Sequence, residues 1–124
     1  MSTGTWLLFL VAVGVGAPAR YVVDRLVTDA TSGRFPWGTG LVNVSGSFIL
    51  GFITGLVLYH GFSNDASLVL GTGFCGAYTT FSTFSYETVR LVERGQSRAA
   101  ALNVVLSTGI GLAAAAAGLA LAAR

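Results

Sequence analysis

The chain is poor in the residues on which many protein functions depend. Its 124 residues include no lysine, one cysteine and one histidine, and only 10% of them are charged. A single cysteine excludes an intrachain disulfide, and one cysteine with one histidine cannot form the usual zinc site within one chain. All seven basic residues are arginine, so the pI of about 9.1 reflects scattered charges. We therefore expect no nucleic-acid partner.

What the chain has in abundance is apolar sequence. Hydrophobic residues make up 53% of it and the mean hydropathy is +0.73, which is too apolar for a soluble domain. Stretches that approach the roughly 20 residues needed to cross a bilayer occur at residues 5–23, 38–59, 67–89 and 99–122. No basic residue precedes the first stretch, so it does not resemble a signal peptide. The sequence predicts an all-α, multi-pass membrane protein in contact with lipid, with one four-helix domain over residues 1–124.

The third apolar stretch contains an unusual segment at residues 71–87. Three glycines and six serines or threonines lie within these 17 positions. Glycine lowers helix stability, and hydroxyl side chains compete for backbone hydrogen bonds. At membrane depth an interrupted helix is tolerated only where it is buried in protein or lines a water-filled cavity. We predict that the third helix is broken mid-membrane, as in transporters that expose backbone carbonyls to an ion.

Two other stretches place small and polar residues on one helical face. In the second stretch, the residues that recur every four positions are Thr39, Asn43, Ser47, Gly51 and Gly55. In the fourth stretch, they are Asn103, Ser107, Gly111 and Ala115. The glycines favour a close helix–helix seam. The asparagines and Ser107 suit either hydrogen bonding between helices or the lining of a polar pathway, and both interpretations stay open.

Phe81 and Phe84 lie three residues apart, so they share a face after the predicted break, with Ser82 and Thr83 beside them. Packing or lipid contact is the ordinary role of such a pair. Because aromatic ring edges carry partial positive charge, phenyl rings among hydroxyls also suit an anion pathway. We assign Glu87 to the solvated end of this helix.

The predicted first helix closes with Arg20 and Tyr21, and residues 24–37 form a loop with room for a short amphipathic piece. Arg20 suits either a snorkelling end-charge or an anion-attracting group at a water-filled mouth. Four thin helices enclose little volume. We therefore expect a solute pathway to lie between subunits of an oligomer.

Three groups of residues, in order along the chain, resemble the fluoride channel family, the CrcB-type or Fluc proteins. The most specific group is Gly73-Phe74-Cys75-Gly76 followed by Thr79-Thr80-Phe81-Ser82-Thr83-Phe84. The others are Gly38-Thr39 with Asn43, Gly46, Phe48 and Gly51, and Gly16-Ala17 with Arg20-Tyr21. The resemblance covers essentially the whole chain. One departure is Ala77-Tyr78, where Gly-Phe is common in the family.

The resemblance implies an antiparallel, dual-topology dimer with two pores and a structural sodium ion (Na+) at its interface. Backbone carbonyls of Gly76 and Thr79 from both subunits would hold that ion. The implied fluoride path runs along Asn43, Phe81 and Phe84, with further polar groups from Thr39, Ser82, Thr83, Ser107 and Asn103 and a vestibule arginine at Arg20. The implied role is passive export of cytoplasmic fluoride across the plasma membrane, which relieves fluoride toxicity.

The arginines outside the apolar core are unevenly distributed. One end of the predicted bundle has only Arg124, and the other has Arg25, Arg34, Arg94 and Arg98. This imbalance favours insertion with the arginine-rich loops in the cytoplasm. An antiparallel assembly then requires either a homodimer of chains that insert both ways or a heterodimer with an oppositely oriented paralogue.

Two other functions are compatible with a small four-helix membrane protein. A multidrug exporter needs a membrane-embedded carboxylate, but Asp24 and Glu87 both lie near predicted helix ends. A non-transporting assembly subunit would need only the glycine seams. The Gly-x-x-x-x-Gly-Lys-Ser/Thr motif is absent, so we expect passive flux and no enzymatic activity.

Overall fold

A computed structural model describes all residues, 1–124, and it contains only helices, turns and short loops. The long helices are α1 (Thr3–Ala30), α2 (Trp37–His60) and α6 (Ser97–Ala122). Between the last two lie α3 (Asn64–Ser67), a π-helix (Leu68–Cys75), α4 (Gly76–Tyr78) and α5 (Ser82–Glu93). The predicted all-α class is confirmed.

Three helices, α1, α2 and α6, are long and apolar enough to cross a membrane. The predicted stretches 38–59 and 99–122 coincide closely with α2 and α6. The predicted third stretch, residues 67–89, is divided between the π-helix, α4 and α5. None of these pieces is long enough to span a bilayer by itself.

The prediction that Arg20 and Tyr21 close the first helix is wrong. Helix α1 continues to Ala30, so the predicted loop at 24–37 shrinks to residues 31–36. Residues 24–30 contain no glycine or proline, and Arg25 pairs with Asp29 one turn later at 3.7 Å. Such a pair supports a helix. The charged residues end the apolar stretch without ending the helix.

Helices α2 and α6 form the most extensive contact in the fold. Gly51 of α2 is buried, and a Cβ atom there would overlap the carbonyl oxygen of Ala115. A Cβ atom at Gly118 of α6 would likewise overlap the carbonyl oxygen of Phe48. The backbones of the two helices therefore touch directly, and the predicted small-residue seam is confirmed.

The segment between α2 and α6 packs against α1 and α2. Its π-helix contains the buried glycines Gly71 and Gly73, consistent with a wider helical turn whose hydrogen bonds reach back five residues. After Tyr78 the chain leaves the helix, with Thr79 in an extended conformation (ψ 161°), and α5 resumes at Ser82. Residues 79–81 therefore form a non-helical step between α4 and α5.

Candidate functional site

An open groove of about 400 Å³ lies beside the non-helical step, between α2 and the segment that follows it. The predicted site residues that line it are Asn43, Gly76, Thr79, Phe81 and Phe84. The rest of the lining is small, hydroxyl-bearing or apolar and comprises Gly46, Ser47, Leu50, Gly71, Thr72, Cys75 and Thr80. The structure thus brings together the central residues of the predicted fluoride path and both predicted sodium ligands.

The Asn43 side chain forms two hydrogen bonds with the backbone of Thr80. Its Nδ2 donates to the Thr80 carbonyl oxygen and its Oδ1 accepts from the Thr80 N–H, each at 2.9 Å. Thr80 is only 8% exposed, and a buried peptide group without a partner costs about 1–3 kcal/mol. The amide therefore replaces the helical hydrogen bonds that residue 80 lacks. One N–H of the Asn43 amide has no protein partner.

Two carbonyl oxygens beside this link accept no hydrogen bond. In a continuous helix the Gly76 carbonyl would accept from the Thr80 N–H, but that N–H bonds to Asn43. The Thr79 carbonyl would accept from the Thr83 N–H, which bonds to the Thr80 hydroxyl at 3.2 Å. Neither carbonyl accepts any other hydrogen bond. Both residues line the groove, and carbonyl oxygens are hard ligands of the kind that hard cations prefer.

The Thr80 side chain organises the start of α5. Its hydroxyl accepts from the Thr83 N–H, as a helix-capping side chain does, and donates to the Thr83 hydroxyl at 3.1 Å. The Ser82 hydroxyl lies 3.4 Å away. Thr80 was not among the predicted site residues. A threonine just before a helix suits a capping role, but Thr79 and Ser82 suit it as well, so the sequence does not single out Thr80.

The two phenylalanines form an aromatic pair at the groove. Their ring centroids are 6.0 Å apart and the rings are tilted by 44°. Phe81 is 78% exposed although it adjoins a buried segment. Packing within the chain does not account for so exposed a phenyl ring.

Tyr78, at the position where the resembled family has phenylalanine, links α4 to α2. It is buried, its ring stacks on Phe74 at 5.6 Å, and its hydroxyl lies 3.0 Å from the Ser45 hydroxyl. The extra hydroxyl therefore has a partner in the same subunit. The tyrosine therefore adds a polar contact between α4 and α2.

A second cavity, of about 220 Å³, lies beside Arg20. Its other lining residues are Ala17, Tyr21, Asp24, Thr39, Val42, Thr80 and Thr83. Arg20 is half-buried and forms no ion pair, so its charge can attract an anion. Because Thr80 lines both this cavity and the groove, Arg20, Thr39 and Thr83 lie next to the groove and not in it.

The assignment of Glu87 to the solvated end of its helix is wrong. Glu87 is half-buried, and its Oε1 accepts a hydrogen bond from the hydroxyl of Thr39. Thr39 is only 3% exposed, so its hydroxyl needs a partner within the protein. Helix α5 supplies that partner when it packs beside α2. Sequence spacing alone does not show this contact because 48 residues separate the two side chains.

Asn103 and Ser107 lie outside both cavities. Ser107 donates to Asn103 Oδ1 at 3.3 Å, and Asn103 Nδ2 donates to the Thr88 hydroxyl at 2.9 Å. Thr88 in turn donates to the carbonyl oxygen of Phe84 at 2.8 Å. This chain of hydrogen bonds joins α6 to α5 behind Phe84. Ser82 likewise lines neither cavity.

Replacement of Asn43 tests the link to Thr80. Asn43→Ala leaves the Thr80 N–H and carbonyl unpaired, so we expect a lower melting temperature, equivalent to about 1–3 kcal/mol. Ser47→Ala is the matched control, because the Ser47 hydroxyl lies one turn further along α2 in the same groove and forms no hydrogen bond. Thermal unfolding of both variants in detergent is the measurement. Equal melting temperatures would show that the link contributes nothing.

Comparisons with known proteins agree with this arrangement. A family model described as CrcB-like protein, Camphor Resistance (CrcB), matches residues 7–119. A protein of Streptomyces avermitilis named fluoride-specific ion channel FluC 1 is 50% identical over 113 residues, 91% of each chain. One of the same name from Symbiobacterium thermophilum is 48% identical over 119 residues, 94% of this chain and 96% of the relative. The fluoride-specific ion channel FluC 2 of Mycobacterium tuberculosis is 44% identical over 115 residues, 93% of this chain and 88% of the relative.

These matches extend over nearly the whole chain and confirm the resemblance found in the sequence. The three long apolar helices and the family together make this a multi-pass membrane protein. The chain belongs to the CrcB-like family.

Proposed function

We propose that this protein is a fluoride-selective ion channel through which cytoplasmic fluoride leaves the cell passively across the plasma membrane, so that fluoride toxicity is reduced. The observation that carries the proposal is the groove in which Asn43, Phe81 and Phe84 meet. The names of the relatives, fluoride-specific ion channels, support the choice of ion. A channel of this kind is not an enzyme.

The groove has the chemistry that a small, strongly hydrated anion needs. Such an ion leaves water only where donors or polarised ring edges replace its hydration shell. The unused N–H of Asn43 and the edges of Phe81 and Phe84 provide them. No arginine lines the groove, which keeps binding weak enough for release. Arg20 lies beyond Thr80, where it concentrates anions without holding them in the groove.

We further propose that the π-helix, α4 and α5 together form a fourth, broken membrane span. The non-helical step at residues 79–81 supports this arrangement, because its polar groups are paired with side chains or line the groove. A step of this kind is tolerated at membrane depth under those conditions.

The groove is open on one side, and the exposed Phe81 ring is part of its lining. A second subunit would enclose both. We therefore propose an antiparallel dimer, either a homodimer or a heterodimer with an oppositely oriented paralogue. The free carbonyls of Gly76 and Thr79 from two subunits would hold a structural sodium ion at this interface. When bound, the ion supplies a hard positive charge that links the two subunits.

The two competing functions have less support. A multidrug exporter would need a carboxylate free to exchange protons at the site, but Glu87 is bonded to Thr39 and Asp24 lies beside Arg20 in the second cavity. An assembly subunit would not need a groove with unpaired carbonyls. The names of the relatives favour neither.

The proposed path is tested by replacing each phenylalanine with leucine. Phe81→Leu and Phe84→Leu keep most of the apolar volume and lose the polarised ring edge. We expect fluoride efflux from liposomes to fall roughly tenfold or more, which corresponds to about 1.4 kcal/mol in the barrier. Phe9→Leu is the matched control, because Phe9 packs against Trp6 outside the groove. Chloride efflux, measured in parallel, reports selectivity.

Gel filtration of the same preparations separates a path residue from a packing residue. Normal flux from well-folded Phe81→Leu and Phe84→Leu dimers would exclude the rings from the path. Loss of the dimer with unchanged flux per remaining dimer would identify them as packing residues. Absence of fluoride efflux from the wild-type protein would overturn the proposed function itself.

The sodium proposal is tested by thermal unfolding. With N-methylglucamine in place of sodium at equal ionic strength, we expect a lower melting temperature. Sodium at 100 times its Kd would stabilise the folded protein by about 2.7 kcal/mol. Asn43→Ala removes the two hydrogen bonds that hold the step, so this variant should respond less to sodium. A wild-type melting temperature independent of sodium would rule out the site.

Membrane orientation is tested with a cysteine at the loop between α1 and α2. Ser32→Cys is exposed, whereas the native Cys75 is buried. The arginines at this end favour labelling from the cytoplasmic side of cells that express this chain alone. Labelling from that side alone would require the oppositely oriented paralogue. Labelling from both sides would show that the chain can form an antiparallel homodimer.

A further inference from the structure

A third cavity, of about 260 Å³, lies at the end of the bundle that contains the loop at residues 31–36 and the C-terminal half of α5. Three of its lining residues are arginines: Arg34 in the loop, and Arg90 and Arg94 at the end of α5. The rest of the lining is Thr28, Gly33, Phe35, Pro36, Tyr86, Glu87 and Leu91.

The three guanidinium groups have no carboxylate partner. The one salt bridge in the protein joins Arg25 to Asp29, and neither residue lines this cavity. Glu87 is the only acidic residue of the lining, and its carboxylate already accepts a hydrogen bond from Thr39. Three arginines and one glutamate leave two uncompensated positive charges around the cavity. The cavity is therefore suited to an anion.

Arginine favours one class of anion over others. Its planar guanidinium donates two parallel hydrogen bonds, a geometry that matches the oxygens of a phosphate group. Lysine, which presents only a point charge, is absent from the whole chain. A halide is a single centre, so it lacks the separate oxygens that match the two parallel donors of a guanidinium. We infer that Arg34, Arg90 and Arg94 bind a phosphate group, a site additional to the proposed fluoride path.

The surroundings of the cavity indicate where that phosphate comes from. The Phe35 and Trp37 rings lie 4.8 Å apart, and Trp37 is 54% exposed. Tyr86, on α5, also lines the cavity and is exposed. Tryptophan and tyrosine of this kind mark the headgroup level of a bilayer, and basic clusters at the cytoplasmic surface attract anionic lipids. A lipid headgroup and free inorganic phosphate share this chemistry, and the aromatic residues favour the lipid.

A purely structural role for two of these arginines makes a different prediction. Positive charges near a helix C-terminus stabilise the helix through its dipole, and Arg90 and Arg94 lie at the C-terminal end of α5. That role would lower stability in every condition when either residue is replaced. It would not create a response to phosphate. Arg34 lies outside α5, so a helix-dipole effect does not apply to it.

The test is thermal unfolding of the full chain in detergent during titration with phosphatidylglycerol, with inorganic phosphate and chloride at equal ionic strength as separate arms. We expect phosphatidylglycerol to raise the wild-type melting temperature. Arg34→Gln and Arg94→Gln should each weaken the apparent affinity about tenfold, the loss expected for one charge-assisted contact. Arg98→Gln is the matched control, because Arg98 is an exposed, unpaired arginine outside the cavity.

Each outcome decides a point. Equal losses for Arg98→Gln and Arg34→Gln would show diffuse attraction and overturn the site. An unchanged wild-type melting temperature with both phosphate-bearing probes would also overturn it. An equal response to inorganic phosphate at matched concentration would support the site and assign it to a soluble ligand. Because these readouts involve no fluoride, failure of the site leaves the proposed channel function unaffected.

Discussion

The pair of hydrogen bonds between the Asn43 amide and the Thr80 backbone is the interaction on which the rest of the site depends. Removing the Thr80 N–H from the helical pattern frees the Gly76 carbonyl, and the Thr80 hydroxyl then starts α5 by bonding to Thr83. The Asn43 side chain on α2 therefore supplies the hydrogen bonds that the interrupted helix lacks, and these buried polar groups would otherwise be unpaired. Without it, the Thr80 N–H and carbonyl would be unpaired and the step would lose its attachment to α2.

The charges of the protein are arranged around this step. The groove has donors, ring edges and free carbonyls, but no fixed positive charge. Arg20 lies in the neighbouring cavity, and further arginines lie around the cavity at the end of the bundle. This separation suits the proposed conduction, because arginines concentrate anions at a mouth while a weakly binding groove lets them pass. The hydrogen bond from Thr39 to Glu87 adjoins both outer cavities.

Much of this arrangement could be predicted from residue types and their spacing. The glycines of α2 predicted a close helix–helix seam, because small residues every four positions form a helical stripe, and the structure shows that seam against α6. The spacing of Phe81 and Phe84 predicted a shared face, and the structure shows both rings at one groove. These successes rest on local periodicity. The motifs that carried the family resemblance cover the same positions.

Contacts between distant segments could not be predicted in this way. Six serines and threonines lie in residues 71–87, and nothing in their order shows that Asn43 bonds to the backbone of Thr80. The burial of Glu87 depends on how α5 packs beside α2. Charged residues end the first apolar stretch without ending α1, because Arg25 and Asp29 support the helix. The dimer and its sodium ion depend on a second subunit, which local patterns in one chain do not describe.

Amide hydrogen exchange at the step tests the central interaction directly. The Thr80 N–H bonds to Asn43, whereas the neighbouring Phe81 N–H has no hydrogen-bond acceptor. In the wild-type protein the Thr80 amide should exchange more slowly than the Phe81 amide, by about tenfold or more. Asn43→Ala should remove that difference. Equal exchange of the two amides in the wild-type protein would contradict the account, because Asn43 would then not hold the step.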